Sequence, residues 1–176
     1  MKEALVVIDF QNDFIDGTLG FPGAESITSG IKALIKAKRA DGADILFTQD
    51  THTEHYMDTR EGRHLPVVHC LKGSDGWLIR DEIRQTLSKD DPVFRKPTFG
   101  SVELMTYVTD KGYDKVTFVG LVTNICVITN AILVKTALPE ADIVIRKDLV
   151  LSFDPDLHQK ALDVMEGLQM IVTDRD

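Results

Sequence analysis

Short apolar runs alternate with amphipathic stretches along the whole chain. Six runs rich in aliphatic and β-branched residues predict strands at 4–9, 43–49, 92–96, 115–120, 141–146 and 168–173. Apolar residues at helical spacing predict helices at about 25–40, 77–89, 101–112, 124–137 and 156–167. Strands that alternate with helices form right-handed crossovers and a sheet covered on both faces. The pattern therefore predicts an α/β fold, a three-layer α/β/α domain with a central, mostly parallel sheet of about six strands, over residues 1–176.

Composition and charge narrow the class of protein. A chain of 176 residues can bury one core, and its 43% hydrophobic and 27% charged residues match a globular domain rather than a disordered one. The net charge of -8 argues against nucleic-acid binding, because neutralising phosphates requires clustered Lys and Arg. The first apolar run is broken by Asp9 and is far shorter than the roughly 20 apolar residues that span a bilayer. We therefore predict a cytoplasmic protein that does not insert into membranes.

Several residues with reactive side chains stand at the ends of predicted strands. Asp9, Asp50, Lys96 and Gly120 lie at or just beyond the ends of four of them. Ligands of open parallel sheets bind outside the carboxyl ends of the strands. We therefore expect these residues to converge on one edge of the sheet.

Cys126 follows the turn after the fourth predicted strand. If Asn124 caps the next helix, Cys126 lies in the first helical turn, where unpaired N–H groups and the helix dipole lower the pKa of a thiol. Asp9 is a candidate to accept the thiol proton, and Lys96 to stabilise negative charge. The alternatives are a buried, inert cysteine, a turn-forming aspartate and a solvated lysine.

Histidines cluster in the one long segment without clear periodicity, residues 50–76. Four of the five histidines lie at positions 52, 55, 64 and 69. Asp50 and His52 share one side of an extended strand, and with His69 they supply a partial ligand shell for a divalent metal, to which Glu61 is a candidate fourth ligand. The alternative is a hydrophilic surface loop, because no compact metal motif is present.

Five separated segments resemble the isochorismatase-like cysteine hydrolases, the superfamily of nicotinamidases, isochorismatases and N-carbamoylsarcosine amidases. They are "ALVVIDFQNDF", "TQDTH", "HCLKGSDGW", "FRKPTFGS" and "VGLVTNICV". The resemblance implies that Asp9 transfers protons, Lys96 gives electrostatic support and Cys126 is the nucleophile. It further implies a non-proline cis peptide at Leu121–Val122, and an oxyanion hole made by the N–H groups of Val122 and Cys126.

The nicotinamidase branch of this superfamily implies a metal site and a ring pocket. A zinc, iron or manganese ion would bind Asp50, His52 and His69, with Glu61 as a fourth ligand in some members, and Phe14 would form a wall of the pocket. The resemblance also implies a homo-oligomer. Three departures bear on the substrate: Asn124 replaces a common Asp, "PTFGS" follows Lys96, and "LPVVHC" lacks a Trp.

The leading hypothesis is a cysteine-dependent hydrolase that converts nicotinamide to nicotinate and ammonia through a thioester, as in NAD salvage. A second hypothesis is an isochorismatase-type hydrolase of another small substrate, which would not need the ligands Asp50, His52 and His69. A third is a catalytically silent, oligomeric binding protein, which inaccessibility of Cys126 would favour.

Overall fold

The computed structural model of the protein describes residues 1–175. Within them, six strands form one sheet: β1 Glu3–Ile8, β2 Asp44–Asp50, β3 Val93–Lys96, β4 Lys115–Leu121, β5 Asp142–Leu151 and β6 Ile171–Thr173. The α-helices are α1 Asn12–Ile15, α2 Thr28–Ala40, α3 Arg60–His64, α4 Asp81–Arg84, α5 Val102–Lys111, α6 Ile128–Ala137 and α7 Pro155–Gly167. The alternation of strands and helices predicted from the hydrophobic pattern is confirmed.

The sheet is parallel throughout, with the strand order β3-β2-β1-β4-β5-β6. The chain builds outward from β1 to one side and then from β4 to the other, so the order reverses between these two central strands. Loops that leave the carboxyl ends of strands diverge at such a reversal and form a crevice there. Asp9 follows β1 and Cys126 follows β4, so both residues lie at this crevice.

Two apolar layers cover the faces of the sheet. In β1, Ala4, Val6 and Ile8 pack on one face with residues of α5, α6 and α7, whereas Leu5 and Val7 pack on the other with residues of α1, α2 and α4. Alternation of side chains between the two faces of a strand explains this division. The three-layer α/β/α prediction is confirmed.

The helix predicted at 77–89 is wrong in its extent, because only Asp81–Arg84 is α-helical there. The preceding residues bond to the segment after β1 instead: Ile79 bridges Gln11, and the Arg80 amide donates to the Phe10 carbonyl at 2.8 Å. Tertiary pairing therefore overrides the apolar periodicity of the segment.

Two further boundary errors concern β5 and β6, which lie at one end of the sheet. β5 continues to Leu151 through an irregularity in its pairing with β4, where the prediction stopped at residue 146. β6 is limited to Ile171–Thr173, because Leu168 closes the end of α7 by bonding to the Val164 carbonyl. These errors leave the strand order and the site unaffected.

No helix within residues 1–175 is long and apolar enough to cross a bilayer.

Candidate active site

Asp9, Lys96 and Cys126 meet at the crevice between β1 and β4. Lys96 Nζ lies 2.6 Å from Asp9 Oδ2 and 3.5 Å from Cys126 Sγ. All three side chains are buried. The predicted convergence at the carboxyl edge of the sheet is therefore confirmed for Asp9 and Lys96.

The carboxylate of Asp9 is oriented by Thr48, a residue that the sequence analysis missed. Thr48 Oγ1 donates to Asp9 Oδ1 at 2.6 Å and accepts from the Asp9 amide at 3.1 Å.

Asp9 adopts a left-handed backbone with φ of 41°, unusual for a residue other than glycine. Next to it, a Cβ on Gly120 would lie 2.1 Å from the Ile8 carbonyl oxygen, so only glycine allows this close approach of β4 to β1.

We expect Thr48→Val to lower the kcat of any reaction that uses Asp9 about tenfold, because Asp9 would lose the hydroxyl that orients its carboxylate. The same change should cost about 1–3 kcal/mol of unfolding free energy, since a buried carboxylate oxygen would lose its donor. Thr117→Val is the matched control: Thr117 is also buried in the sheet, and its hydroxyl has no hydrogen-bond partner among the described residues. Steady-state kinetics and urea unfolding should separate the two variants, and equal losses in both would contradict the role of Thr48.

The pKa of the Cys126 thiol differs from the expectation. Burial raises the pKa of Cys126 well above its usual value; the Lys96 ammonium lowers it, and the carboxylate of Asp9 raises it further. The predicted lowering of this pKa is therefore wrong for the described chain. Burial also raises the pKa of Asp9, against the opposing effect of Lys96. The thiol thus keeps its proton beside a carboxylate with raised proton affinity.

The peptide corner that carries Cys126 has two unusual backbone features. The Leu121–Val122 bond is cis, as predicted. Thr123–Val127 is a π-helical turn that precedes α6, a conformation often found at functional sites. The prediction that Asn124 caps a helix is wrong, because Asn124 lies inside this turn and makes no side-chain cap.

Side chains outside the corner hold the π-helical turn. Ser152 Oγ donates to Asn124 Oδ1 at 2.7 Å, and His158 Nδ1 lies 2.9 Å from Thr123 Oγ1. Both partners come from the segment that follows β5. The Asn at position 124 therefore has a structural role as an acceptor.

A second group of side chains adjoins the first through Lys96. Asp50, His52 and His69 each offer a ligand atom, all within 4.8 Å of one another. His52 Nε2 and His69 Nε2 lie 3.0 and 3.3 Å from Asp50 Oδ2, and Lys96 Nζ lies 3.4 Å from Asp50 Oδ1. Glu61 Oε1 is farther away, 3.8 Å from His52 Nε2 and 4.0 Å from His69 Nε2.

The chemistry of this donor set suits a divalent metal. His69 Nδ1 donates to the Val67 carbonyl at 2.8 Å, so Nε2, which faces Asp50 Oδ2, is the nitrogen that would bind an ion after losing its proton. Burial alone would raise the pKa of Asp50, but hydrogen bonds from His52 and His69 and the charge of Lys96 lower it, which keeps Asp50 ionised. A carboxylate and two imidazoles are common ligands of zinc, iron and manganese.

The other two histidines of the cluster lie elsewhere. His55 is exposed beside Glu54 and Asp58, and His64 bonds to the Arg60 carbonyl on the surface. Composition alone had not separated them from His52 and His69.

Two further residues support the donor set and were also missed. Gln11 holds the backbone of Asp50 at both ends, because its Oε1 accepts from the Asp50 amide at 2.7 Å and its Nε2 donates to the Asp50 carbonyl at 2.9 Å. The buried ring of Tyr56 contacts the rings of His52 and His69 edge-on, with centroid distances of 4.7 and 5.0 Å. Neither residue has a sequence signal that distinguishes it from an ordinary core residue.

A cavity of about 460 Å³ connects the two groups to the surface. Cys126, Asp50, Glu61 and His69 line it, so Cys126, although buried, forms part of the cavity wall. The remaining lining is mostly apolar: Phe14, Thr18, Leu19, Gly20, Phe21, Leu65, Phe99, Val122, Ile125 and Phe153. The predicted wall residue, Phe14, also contacts the ring of His69 at a centroid distance of 5.8 Å.

The family of the chain follows from comparison with known proteins. The isochorismatase domain model matches residues 3–176. The chain belongs to the isochorismatase family. This membership makes the protein a hydrolase, in agreement with the resemblance noted in its sequence motifs.

Relatives and structural neighbours of this isochorismatase-family protein include amidases. The chain is 26% identical to the nicotinamidase/pyrazinamidase of Mycobacterium tuberculosis over 140 residues, 70% of this chain and 74% of that protein. N-carbamoylsarcosine amidase of Thermoplasma acidophilum has a TM-score of 0.82 at 29% identity, covering 98% of this chain and 96% of that one. Pyrazinamidase of Pyrococcus horikoshii, solved in complex with zinc, has a TM-score of 0.86 at 24% identity, covering 99% and 100% of the two chains.

Proposed function

We propose that this isochorismatase-family protein hydrolyses nicotinamide to nicotinate and ammonia through a thioester on Cys126. The observation that carries the proposal is the position of Cys126 Sγ, which lines an apolar cavity, lies 3.5 Å from Lys96 Nζ and shares that cavity with Asp50 and His69 of the metal-type donor set. The activity named for the mycobacterial relative supports the same substrate.

Proton transfer in this proposal belongs to Asp9. Its carboxylate takes the Cys126 proton, and the thiolate attacks the carboxamide carbon. Asp9 then gives the proton to the departing ammonia, which leaves an acyl group on sulfur. Asp9 next takes a proton from water, whose oxygen attacks the thioester carbonyl, and returns that proton to sulfur as nicotinic acid leaves and gives its own proton to solvent to become nicotinate. The raised pKa of Asp9, caused first by burial, supports its action as both base and acid.

Charge stabilisation belongs to Lys96 and to the corner that contains the cis peptide. Burial would lower the pKa of Lys96, but Asp9, Cys126 and Asp50 raise it, so the ammonium persists beside the thiolate as it forms. We assign the oxyanion of the tetrahedral intermediate to the backbone N–H groups of Val122 and Cys126.

A divalent ion would be held by Asp50, His52 and His69, with Glu61 beside them, and would supply positive charge to orient the pyridine nitrogen of the substrate. Burial and the neighbouring Asp50 raise the pKa of Glu61. A bound ion would favour the ionised form of Glu61, which stays a candidate fourth ligand.

The charge of the cavity favours a neutral amide over isochorismate. Isochorismate carries two carboxylates, yet no Lys or Arg is among the described residues that line the cavity, whereas Asp50 and Glu61 are. Access to Cys126 through the cavity also removes the main reason for a catalytically silent protein.

The test is ammonia release from nicotinamide by protein loaded with zinc, the ion in complex with the Pyrococcus horikoshii pyrazinamidase, and in parallel with iron and with manganese. We expect multiple turnovers, and chelation should lower the rate about a hundredfold or more until the ion is restored. His52→Ala should lower both bound metal and rate to a similar degree, whereas His64→Ala, which alters a surface histidine, should change neither.

Two results would contradict the proposal. Metal-bound, folded protein that releases no ammonia from nicotinamide would exclude this substrate. Full activity after complete metal removal, measured by elemental analysis, would exclude the role of the donor set.

A further inference from the structure

The cavity that reaches Cys126 has a buried inner end and an exposed apolar mouth. Phe14, His69 and Cys126 are buried, whereas Phe99 and Phe153 expose 42% and 57% of their surface. The volume of about 460 Å³ lies in the range of about 300–1,000 Å³ that holds drug-sized ligands. Nicotinamide is one aromatic ring with a carboxamide, so at the inner end it would leave the mouth unfilled.

Phe99 is held in the mouth by α6, the helix that follows the turn with Cys126. Asn130 of α6, fully buried, donates from Nδ2 to the carbonyl oxygens of Phe99 and Cys126 at 2.9 and 2.7 Å. Its Oδ1 accepts from the Ser101 amide at 2.9 Å, so the turn after β3 is fixed on both sides of Gly100. The backbone that carries the exposed Phe99 ring is therefore linked through Asn130 to the backbone of Cys126.

Phe153 is held in a similar way from the other side of the mouth. The neighbouring residue Ser152 bonds to Asn124 in the π-helical turn, and its Oγ also accepts from the Asp154 amide at 3.1 Å. The Phe153 ring contacts Phe21 edge-on, with a centroid distance of 6.2 Å. Exposed aromatic rings grouped around a cavity are typical of a ligand-binding surface.

We propose that Phe21, Phe99 and Phe153 form a second subsite, which binds a neutral, apolar substituent on the ring of an aromatic carboxamide. This inference rests on the proposed function, because the carboxamide must lie at Cys126 for the rest of the ring to face the mouth. The absence of Lys and Arg from the described lining, together with Asp50 and Glu61 at the inner end, selects a neutral substituent over an anionic one.

The test compares kcat/KM for ammonia release from nicotinamide and from derivatives with methyl, propyl, phenyl or carboxylate groups. The substituent is on the ring carbon meta to both the ring nitrogen and the carboxamide-bearing carbon, because this carbon faces away from the thiol and the metal ligands. We expect propyl and phenyl to raise kcat/KM about tenfold over nicotinamide, through burial of apolar surface, and carboxylate to lower it at least as much.

Phe153→Ala should lower the ratio of kcat/KM for the propyl derivative to that for nicotinamide about fivefold. Val164→Ala, which truncates an exposed apolar residue of α7 outside the cavity, should leave this ratio unchanged. Turnover of nicotinamide with equal or slower turnover of the propyl and phenyl derivatives would overturn the subsite while the proposed function stands. Absence of ammonia from every compound would overturn both.

Discussion

Cys126→Ala is expected to lower kcat for ammonia release from nicotinamide by at least about ten-thousandfold, because Cys126 carries the only thiol among the described residues that line the cavity. The loss should be accompanied by disappearance of the thioester, which rapid acid quenching and intact-protein mass spectrometry detect as an added acyl mass in the wild-type protein. Bound metal should remain, since Cys126 is separate from the ligands Asp50, His52 and His69.

Cys70→Ala is the matched control, because Cys70 is the only other cysteine and is also buried. Burial raises the pKa of Cys70, and Asp50 and Asp13 raise it further, so its thiol stays protonated. Cys70 is not among the residues that line the cavity. We expect its removal to leave kcat within a few-fold of wild type. Retention of activity in Cys126→Ala, or equal loss in both variants, would exclude Cys126 as the nucleophile.

Lys96→Met is expected to lower kcat roughly a thousandfold and to cost about 3–5 kcal/mol of unfolding free energy. The ammonium is 2.6 Å from Asp9 and 3.4 Å from Asp50, so its removal leaves two buried carboxylates without their shared counter-charge. Kinetics and denaturant unfolding measure the two effects separately.

Two further variants separate charge pairing from catalysis. Asp9→Asn combined with Lys96→Met should recover more than about 1 kcal/mol of the lost stability, since neither charge of the pair remains, but no activity. Lys38→Met also removes a buried lysine, one that pairs with Glu3 at 2.9 Å at the opposite edge of the sheet, and should leave kcat unchanged. Stability equal to wild type in Lys96→Met would contradict the role of Lys96 as the central counter-charge.

The positions of the proposed catalytic residues were accessible to sequence reasoning because of the regularity of parallel sheets. Asp9, Lys96 and the turn before Cys126 each follow an apolar run, and strands that run in parallel bring their carboxyl ends to one edge. Resemblance then supplied roles that position alone left open. The same reasoning misjudged the pKa of Cys126, because burial and neighbouring carboxylates are properties of the assembled site.

Residues that act through their neighbours could not be found in this way. Thr48, Gln11 and Asn130 are ordinary polar residues in the sequence, and their importance comes from hydrogen bonds to residues 29 to 39 positions away. Similarly, the sequence does not distinguish the four clustered histidines from one another. In the fold, His52 and His69 lie next to Asp50, whereas His55 and His64 are exposed.

The sequence by itself determined the layered α/β architecture, the family motifs and the residue types available for chemistry, because these depend on local periodicity and on short contiguous segments. The tertiary structure alone decided how many residues after Gly76 are helical. It also decided the directions of the pKa shifts of Asp9 and Cys126 and the shape of the cavity. Phe21, Phe99 and Phe153 come from three separate segments, and only the reversal of strand order between β1 and β4 brings the loops that carry them to one crevice.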